Sequence, residues 1–572
     1  LDEVLVQSKR ISLPFVENSH SIEMVDSLEM LVFSSGSVDE ILQNVGGVDV
    51  RRRGIEGMQS DLYIRGGNFE QVLLLIDGIK MDDVQTGHHT MNSIIDPENI
   101  ERIEVIKGAA SRIYGQNAMN GVVNIVTKNS IENIGEVKLK AGSFDTYGVG
   151  FGYNTHVEDR KFRFSVSKLL SDGYRYNSDF DNLNGFFKAD IGKTEVLATY
   201  SERKFGANGF YGNPTFTEMY EETQTHLLAL KRKMNFNNVN TTLQIYWKRN
   251  QDAFFTFRKK PDLYSNFHIT QKVGASIDGY YRSKIGVTGI GFDLNYNTIT
   301  STKLGEHERI TSIGYLEHRF QLLNEKLDIT PGVSVNYYND FGWYFYPGLD
   351  LGFRVNKKVK LYTNLGYTNR NPTYTNLYYR SNTEEGNPDL KPESALTGEI
   401  GLYYHPKNWL MNVNYFYRNA SNLIDWAKDN LLDKWQARNF SEVITNGAEI
   451  SSKYQFKFKS HLHFVKVGYT YMNEDIIEQK VNYSLYSINS LKHQVMLGWH
   501  SKFIENVSQN ISYRYVERTL GETYHVFDAG INLQMNKWIV AVNFNNLFDT
   551  EYSETNLVPM PGFNMIGSMS IK

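Results

Sequence analysis

A chain of 572 residues is too long for one ordinary globular core, so it calls for several domains or one very large closed architecture. Its 37 Tyr, 33 Phe and 7 Trp sit in a chain whose mean hydropathy is -0.43, a pairing that suits short amphipathic strands. A formal net charge of -4 lacks the basic footprint of a nucleic-acid partner, no run approaches the ~20 apolar residues of a transmembrane helix, and the absence of Cys excludes disulfide staples.

The chain opens at Leu1 without a charged-then-apolar leader, so export implies a signal peptide already removed from this numbering. Asp2-Glu3-Val4-Leu5-Val6 is a β-prone pentapeptide, followed by a polar tether from Gln7 to Ser21 that contains Pro14. Such a segment suits strand addition to a partner's sheet; the alternative is an ordinary first strand of the unit that follows.

Up to about residue 134 the sequence reads as a compact α/β unit. Apolar strands are predicted at Val72 to Ile76 and Val122 to Val126. A helix is predicted over Ser37 to Asn44, where Ser37 precedes Val38, Ile41, Leu42 and Val45 at helical spacing and Gly46-Gly47 supplies the stop. Gly66-Gly67, Gly78 and Gly115 are expected at tight turns that need positive φ. Arg65, Glu101, Arg102 and Glu104 lie in apolar strand-like contexts, where unpaired charge is costly, so each is expected to have a structural partner. Two loops, Arg51 to Ser60 and Met81 to Asn92, lie between predicted strands. The second holds Asp82, Asp83, Gln85, His88, His89 and Asn92. No metal site is expected there: neighbouring residues in an extended loop point apart, and neither Cys nor a spaced His pair completes a ligand set.

From Gly135 to Lys572 the texture changes to a period of two, as in Lys161-Phe-Arg-Phe-Ser-Val-Ser, Met411-Asn-Val-Asn-Tyr-Phe-Tyr, Lys453-Tyr-Gln-Phe-Lys-Phe-Lys and Val540-Ala-Val-Asn-Phe-Asn. Stretches rich in Asn, Gly, Asp and Tyr separate these runs, and short and long connections take turns. Sandwich domains would return a strand every 8 to 12 residues, roughly. Residues 135–572 divided among 22 strands instead give roughly 20 residues per strand plus connection, the figure for a membrane barrel. A lumen that wide cannot be filled by its own side chains and needs a plug.

Several motifs, in order, carry a family resemblance. Asp61-Leu-Tyr-Ile-Arg-Gly-Gly, Val72-Leu-Leu-Leu-Ile-Asp-Gly-Ile, Ile100-Glu-Arg-Ile-Glu-Val-Ile-Lys-Gly, and Ser111-Arg-Ile-Tyr-Gly through Gly121-Val-Val-Asn-Ile-Val-Thr resemble the plug signature of TonB-dependent receptors. Thr368 to Pro372, Asn387-Pro-Asp-Leu-Lys-Pro-Glu and Asn545-Asn-Leu-Phe-Asp-Thr-Glu-Tyr are similar to recurring barrel motifs of that family, although the final Ile571-Lys572 departs from its usual aromatic end. The resemblance implies an all-β membrane protein: a 22-stranded antiparallel transmembrane β-barrel with an N-terminal α/β plug domain in its lumen. It assigns residues 1–21 to a Ton box and periplasmic tether, 22–134 to the plug and 135–572 to the barrel. It places the chain in the outer membrane of a Gram-negative bacterium, surrounded by lipid. Asp2, Glu3, Val4, Leu5 and Val6 would be gripped by TonB of the inner-membrane energising complex. No Gly-x-Ser-x-Gly elbow or other nucleophile motif suggests an enzyme.

In length, Ton-box position and plug spacing the chain is most similar to the cobalamin transporters of the family, which implies cobalamin as transported ligand and no resident cofactor. A bulky, amide-fringed, nearly neutral corrinoid calls for Asn, Gln, Tyr and backbone groups. The expected contacts are Arg53, Gln59, Gln85, His88, His89 and Asn92 on the plug. From extracellular loops come Phe210, Tyr211, Asn213, Tyr344 within Trp343 to Tyr346, Tyr378 and Tyr379, and each aromatic among them reads equally as a girdle residue. Arg51 to Arg53 would alternatively suit an anionic ferric siderophore or be paired inside the plug. His88 or His89 would serve haem as an axial ligand, and a surface-exposed substrate-binding lipoprotein is a further partner to consider.

Overall fold

The protein, seen in a computed structural model, is described over residues 6, 14–33, 36–93, 95–129, 133–211, 215–439, 442–477, 482–484, 490–521, 523–555 and 558–572. Asp2, Glu3, Val4 and Leu5 of the predicted Ton box, and Asn213, lie outside the described residues.

The N-terminal unit is built from seven short strands: β1 (Ile22–Val25), β2 (Val48–Arg52), β3 (Ser60–Ile64), β4 (Val72–Ile76), β5 (Ile79–Lys80), β6 (Ile100–Lys107) and β7 (Gly121–Thr127). Five of them form one sheet in the order β1-β6-β7-β4-β5, in which β4 and β7 run parallel, and β2 and β3 pair as a hairpin. β4 and β7 are buried at every position, which explains why they read as unbroken apolar runs and do not alternate. The predicted helix is Val38–Leu42, and its buried Val38, Ile41 and Leu42 pack with Leu74, Ile76, Ile103 and Val123 of the sheet. Asp77-Gly78 closes the β4–β5 hairpin with φ of 49° and 83°, and Arg65-Gly66 takes the same left-handed pair at 49° and 74°. Gly67 does not have positive φ. It is glycine for space, since a Cβ there would fall 1.2 Å from Asn120 Nδ2.

Twenty-two antiparallel strands from Ile134–Gly142 to Asn564–Ile571 enclose this unit, and the last pairs with the first, Ile566 opposite Gly142 and Ile571 opposite Val137. All four alternating runs lie in these strands, save Lys459, which opens the turn after Phe458. The strand Thr146–Val157 shows the physics: Tyr147, Val149, Phe151 and Tyr153 point outward, between 46% and 60% exposed, while Gly148, Gly150 and Gly152 face the lumen. An outward apolar face of this kind is the one a bilayer solvates. Connections on one rim are two to four residues, for example 158–159, 192–193, 323–326 and 405–408. The other rim carries long excursions between barrel strands, 371–392, 422–441 and 546–563 among them, and is the extracellular side. Excursions on this rim contribute the short strands Glu384–Glu385, Trp435–Asn439, Ile424–Lys428 and Tyr483–Ser484 to a separate sheet.

The plug is held to the wall by charge. Arg65 reaches Glu399 and Glu449 at 2.7 and 2.8 Å, Lys80 reaches Asp293 at 2.8 Å, Arg112 reaches Asp350 at 2.8 Å and Arg518 reaches Asp49 at 2.6 Å. The lumen face of a barrel strand is polar by alternation, so a plug that fits it must offer complementary polar groups. Glu101, Arg102 and Glu104 behave differently: they pair along β6 with one another, Arg102 binding Glu104 at 3.0 Å and Glu101 at 2.6 Å.

At the N-terminus Val6 is fully buried with Phe15, Ile22, Met24, Leu75 and Tyr403. Residues 14–21 are tied to the wall, since Glu17 binds Arg319 at 2.9 Å and the Ser21 amide donates to Glu399 at 2.7 Å.

Candidate functional site at the extracellular mouth

The 81–92 segment leaves β5 and runs over the top of the plug. Its course is set by the barrel wall: Lys248 Nζ donates to the Met81 and Asp82 carbonyls at 2.9 Å, Thr270 donates to Asp83 at 2.7 Å, and the Tyr374 amide donates to the Val84 carbonyl at 2.8 Å. This leaves Gln85, Thr86, His88 and His89 as the floor of a cavity that opens to solvent, about 1200 Å³ with its open mouth included. Its sides come from the upper ends of barrel strands, with Glu221, Asp252, Phe254, Asn266 and His268, and from loops, with Tyr211, Tyr379, Trp426 and Trp435. Aromatic faces beside a few convergent polar groups are the usual make-up of a ligand pocket.

Polar groups on the floor are interlocked. Gln85 Nε2 donates to Asp252 Oδ2 at 2.8 Å, and His89 Nε2 faces the same oxygen at 3.2 Å while its Nδ1 faces Glu221 Oε1 at 3.5 Å. Burial alone would lower the His89 pKa, but Asp252 and then Glu221 hold it up, at about 9. His88 turns the other way, stacks on Phe69 at 4.0 Å between ring centres and places Nδ1 2.9 Å from Asp61. The two adjacent imidazoles thus point apart.

Among the described lining residues the carboxylates are Glu70, Glu221, Asp252, Glu384 and Asp425, and there is no Lys or Arg. Arg51 to Arg53 are not at the cavity. Arg51 binds Asp49 at 3.0 Å, Arg52 binds Glu554 at 2.8 Å and Arg53 binds Asp61 at 2.7 Å, each buried at the plug or its wall.

Of the expected ligand contacts, Gln85, His88, His89, Tyr211 and Tyr379 line the cavity. The structure places the other described ones elsewhere. Asn92 lies below the floor, 3.3 Å from the His89 ring, and Arg53 is spent on Asp61. Gln59 is fully buried, donating to the His88 carbonyl at 3.3 Å and accepting from Tyr211. Phe210 packs in an apolar cluster with Met58 and Phe205. Tyr378 stacks on His307 at 4.0 Å. Tyr344 belongs to the strand Gly342–Arg354 and not to a loop, because the connection before it is only 339–341; its ring lies against Tyr338 and Tyr346. Sequence reasoning missed Trp426, Trp435, Asn266, Glu221 and Asp252. The two Trp stand outside any alternating run within one long polar excursion, a usable signal, whereas the acids are ordinary strand positions.

Asp61 gives a test of this layer. Burial would raise its pKa, but Arg53 and then His88 bring it down to about 2 from 3.8. A depressed carboxylate stabilises the fold above its unfolded pKa and loses that contribution as pH falls through 3.8 towards 2, an effect of roughly 2 kcal/mol. Asp61→Asn should therefore lower the unfolding midpoint at pH 7, and the gap to the parent should narrow at pH 3. A gap that stays constant with pH would show that the Asp61 charge contributes nothing.

Comparison with known proteins agrees with this architecture. The profile of the TonB-dependent receptor plug domain matches residues 15–122, and that of the TonB dependent receptor-like β-barrel matches 122–547. A relative described as vitamin B12 transporter BtuB, from Photobacterium profundum, is 24% identical over 489 residues, covering 82% of this chain and 78% of its own. Among solved structures, the ferric-catecholate import receptor Fiu from K12 E. coli in its closed form superposes with a TM-score of 0.79 at 15% identity, covering 100% of this chain and 99% of that one. The siderophore receptor PirA from Pseudomonas aeruginosa gives 0.76 at 17% identity, covering 96% and 98%. At these identities the structures speak to fold alone.

Proposed function

The chain belongs to the TonB-dependent receptor family and acts in TonB-dependent transport across the outer membrane of a Gram-negative bacterium, and from that premise we propose that its cargo is a corrinoid of the cobalamin class. The observation that carries this reading is the charge of the cavity: five carboxylates, amides and aromatic faces, with no Lys or Arg among the described lining residues. An anionic ferric chelate would enter such a site against like charge, with no Lys or Arg and only the His89 imidazole, itself taken up by Asp252 and Glu221, to offset its desolvation. A corrinoid, nearly neutral and fringed with amides, can donate to carboxylates and lay its flat ring on Trp426, Trp435 or Tyr379. The vitamin B12 transporter name of the relative supports the same reading. The engagement of Arg51 to Arg53 by Asp49, Glu554 and Asp61, away from the cavity, supports the corrinoid over the siderophore reading.

The test is equilibrium binding to the purified full-length protein with cyanocobalamin, a ferric catecholate and haem as probes, read by visible absorbance co-eluting with the protein. Cyanocobalamin should bind, and its affinity should change little with ionic strength, since no ion pair is involved. Trp426→Ala should weaken binding by roughly 1–2 kcal/mol, on the scale of a buried aromatic anchor, or about tenfold in affinity. Gln85→Ala should weaken it by roughly 0.5–1.5 kcal/mol. Salt-sensitive binding of the ferric catecholate, or binding of haem, with no corrinoid retained would overturn the proposal.

A further inference from the structure

We propose that His89, Glu221 and Asp252 form a site for one divalent transition-metal ion of the zinc class, set in the floor of the cavity and joining the plug to the barrel wall. It is independent of which cargo the cavity takes.

The three residues come from separate elements: His89 from the plug segment after β5, Glu221 from the barrel strand Tyr220–Phe236 and Asp252 from the neighbouring strand Val239–Phe255. The two strands pair in register, Glu221 opposite Phe254 and Asp252 opposite Thr223, which sets both carboxylates on the lumen face near one another. One donor atom from each residue lies within 4.8 Å of the others. The residues are 6%, 1% and 4% exposed. Metal–ligand bonds of roughly 2.0–2.2 Å can span this set after small side-chain movements.

Chemistry points to a ligand there. Asp252 Oδ1 is buried without a hydrogen-bond partner, Glu221 Oε1 has no hydrogen bond and only the His89 ring at 3.5 Å, and Asn266 Oδ1, on the same cavity, is buried without a hydrogen bond. The second oxygen of each carboxylate is held in place, Glu221 Oε2 by the Tyr211 hydroxyl, whose one proton it shares with Gln59 Oε1, and Asp252 Oδ2 by Gln85 and His89, so the remaining oxygens are presented in fixed positions. Two carboxylates under a single imidazole leave net negative charge in a site shielded from water, which a dication offsets. An imidazole nitrogen beside two carboxylates is a mixed N/O set, suited to zinc and related ions; calcium and magnesium take oxygen ligands. Three protein ligands leave a position open towards the cavity, where water completes the shell. Binding releases to solvent the proton on one His89 ring nitrogen, and with it any proton the two carboxylates share. The neighbouring His88 takes no part, because Asp61 and Phe69 hold it on the far side.

The test uses the full-length protein in detergent, stripped with a chelator and free of corrinoid, and titrated with Zn²⁺ and separately with Ca²⁺. One Zn²⁺ per chain should bind saturably, Ca²⁺ at equal concentration should not displace it, and Co²⁺ in its place should show the visible bands of a low-coordinate site. Asp252→Asn, Glu221→Gln and His89→Gln should each weaken Zn²⁺ by roughly tenfold or more, whereas His156→Gln, an exposed residue on the opposite rim, should leave it unchanged. If a variant does not fold, the Co²⁺ spectrum and stoichiometry of the parent protein decide. The absence of one-to-one binding, preference for Ca²⁺, or Zn²⁺ affinity unaltered in all folded variants would overturn the site. Failure of corrinoid binding with Zn²⁺ retained would overturn only the cargo reading.

Discussion

Arg65→Met should loosen the plug and open the barrel to ions. Arg65 is buried against the wall, donating from Nε and Nη2 to Glu449 at 3.1 and 2.8 Å, from Nη1 to Glu399 at 2.7 Å and from Nη2 to Asn414 at 2.9 Å, with the guanidinium 4.4 Å from the Phe416 ring. Methionine fills much of the volume but leaves two buried carboxylates without their principal cation. Removing one partner of a buried pair costs roughly 3–5 kcal/mol, much of it the burden of the orphaned charge. Lys107, 3.5 Å from Glu449, offsets part of that loss. The expected result is a lowered plug unfolding transition together with open events in planar-bilayer conductance, where the parent stays closed. Arg65→Lys should fall between them, since it keeps the charge and loses the fork. Adding Glu449→Gln to Arg65→Met should restore part of the loss, because it removes one of the two uncompensated charges. Equal melting and a silent bilayer in Arg65→Met would mean that the plug is held by its other contacts.

How far the sequence reveals this molecule depends on the range of the interaction that carries each feature. β4 and β7 are continuous apolar strands because both faces are covered, and the barrel strands alternate because one face meets lipid and the other the lumen; both patterns are local and legible. The fate of a polar plug residue is not local. Arg53 and Gln59 look like ligand contacts and Arg65 like scaffold, but their partners come from elsewhere in the chain: Asp61 and the Phe210 carbonyl for Arg53, Tyr211 for Gln59, and Glu399 and Glu449 for Arg65. Likewise His89 looks like a solvated loop histidine until strand register delivers Glu221 and Asp252 from distant parts of the chain. Tyr344 fails for the opposite reason: the extracellular connection 339–341 is so short that an aromatic just beyond it already belongs to the strand.

Leu5→Pro should abolish uptake of cyanocobalamin while leaving its binding to whole cells intact. The premise is the resemblance of Asp2 to Val6 to a Ton box and the membership of the family, which requires an energised partner reaching the chain from the periplasm. A partner that adds this segment to its own sheet grips backbone donors and acceptors in alternation, so a proline in its middle removes a donor and obstructs the ladder without altering the rest of the chain. Leu5→Val keeps the donor and the β propensity and should transport normally. The fold supplies the continuation of the pull: Val6, next in the chain, is buried with Phe15, Ile22 and Met24, and β1 pairs with β6 while Glu23 binds Lys107 at 3.3 Å and Lys466 at 2.7 Å. Traction on residues 2–5 therefore bears first on β1 and on the plug's ion pairs to the wall, and only later on the 81–92 segment at the cavity floor. Uptake by Leu5→Pro at the parent rate would place the coupling segment elsewhere; loss of binding along with uptake would show that these residues hold the plug in its binding form.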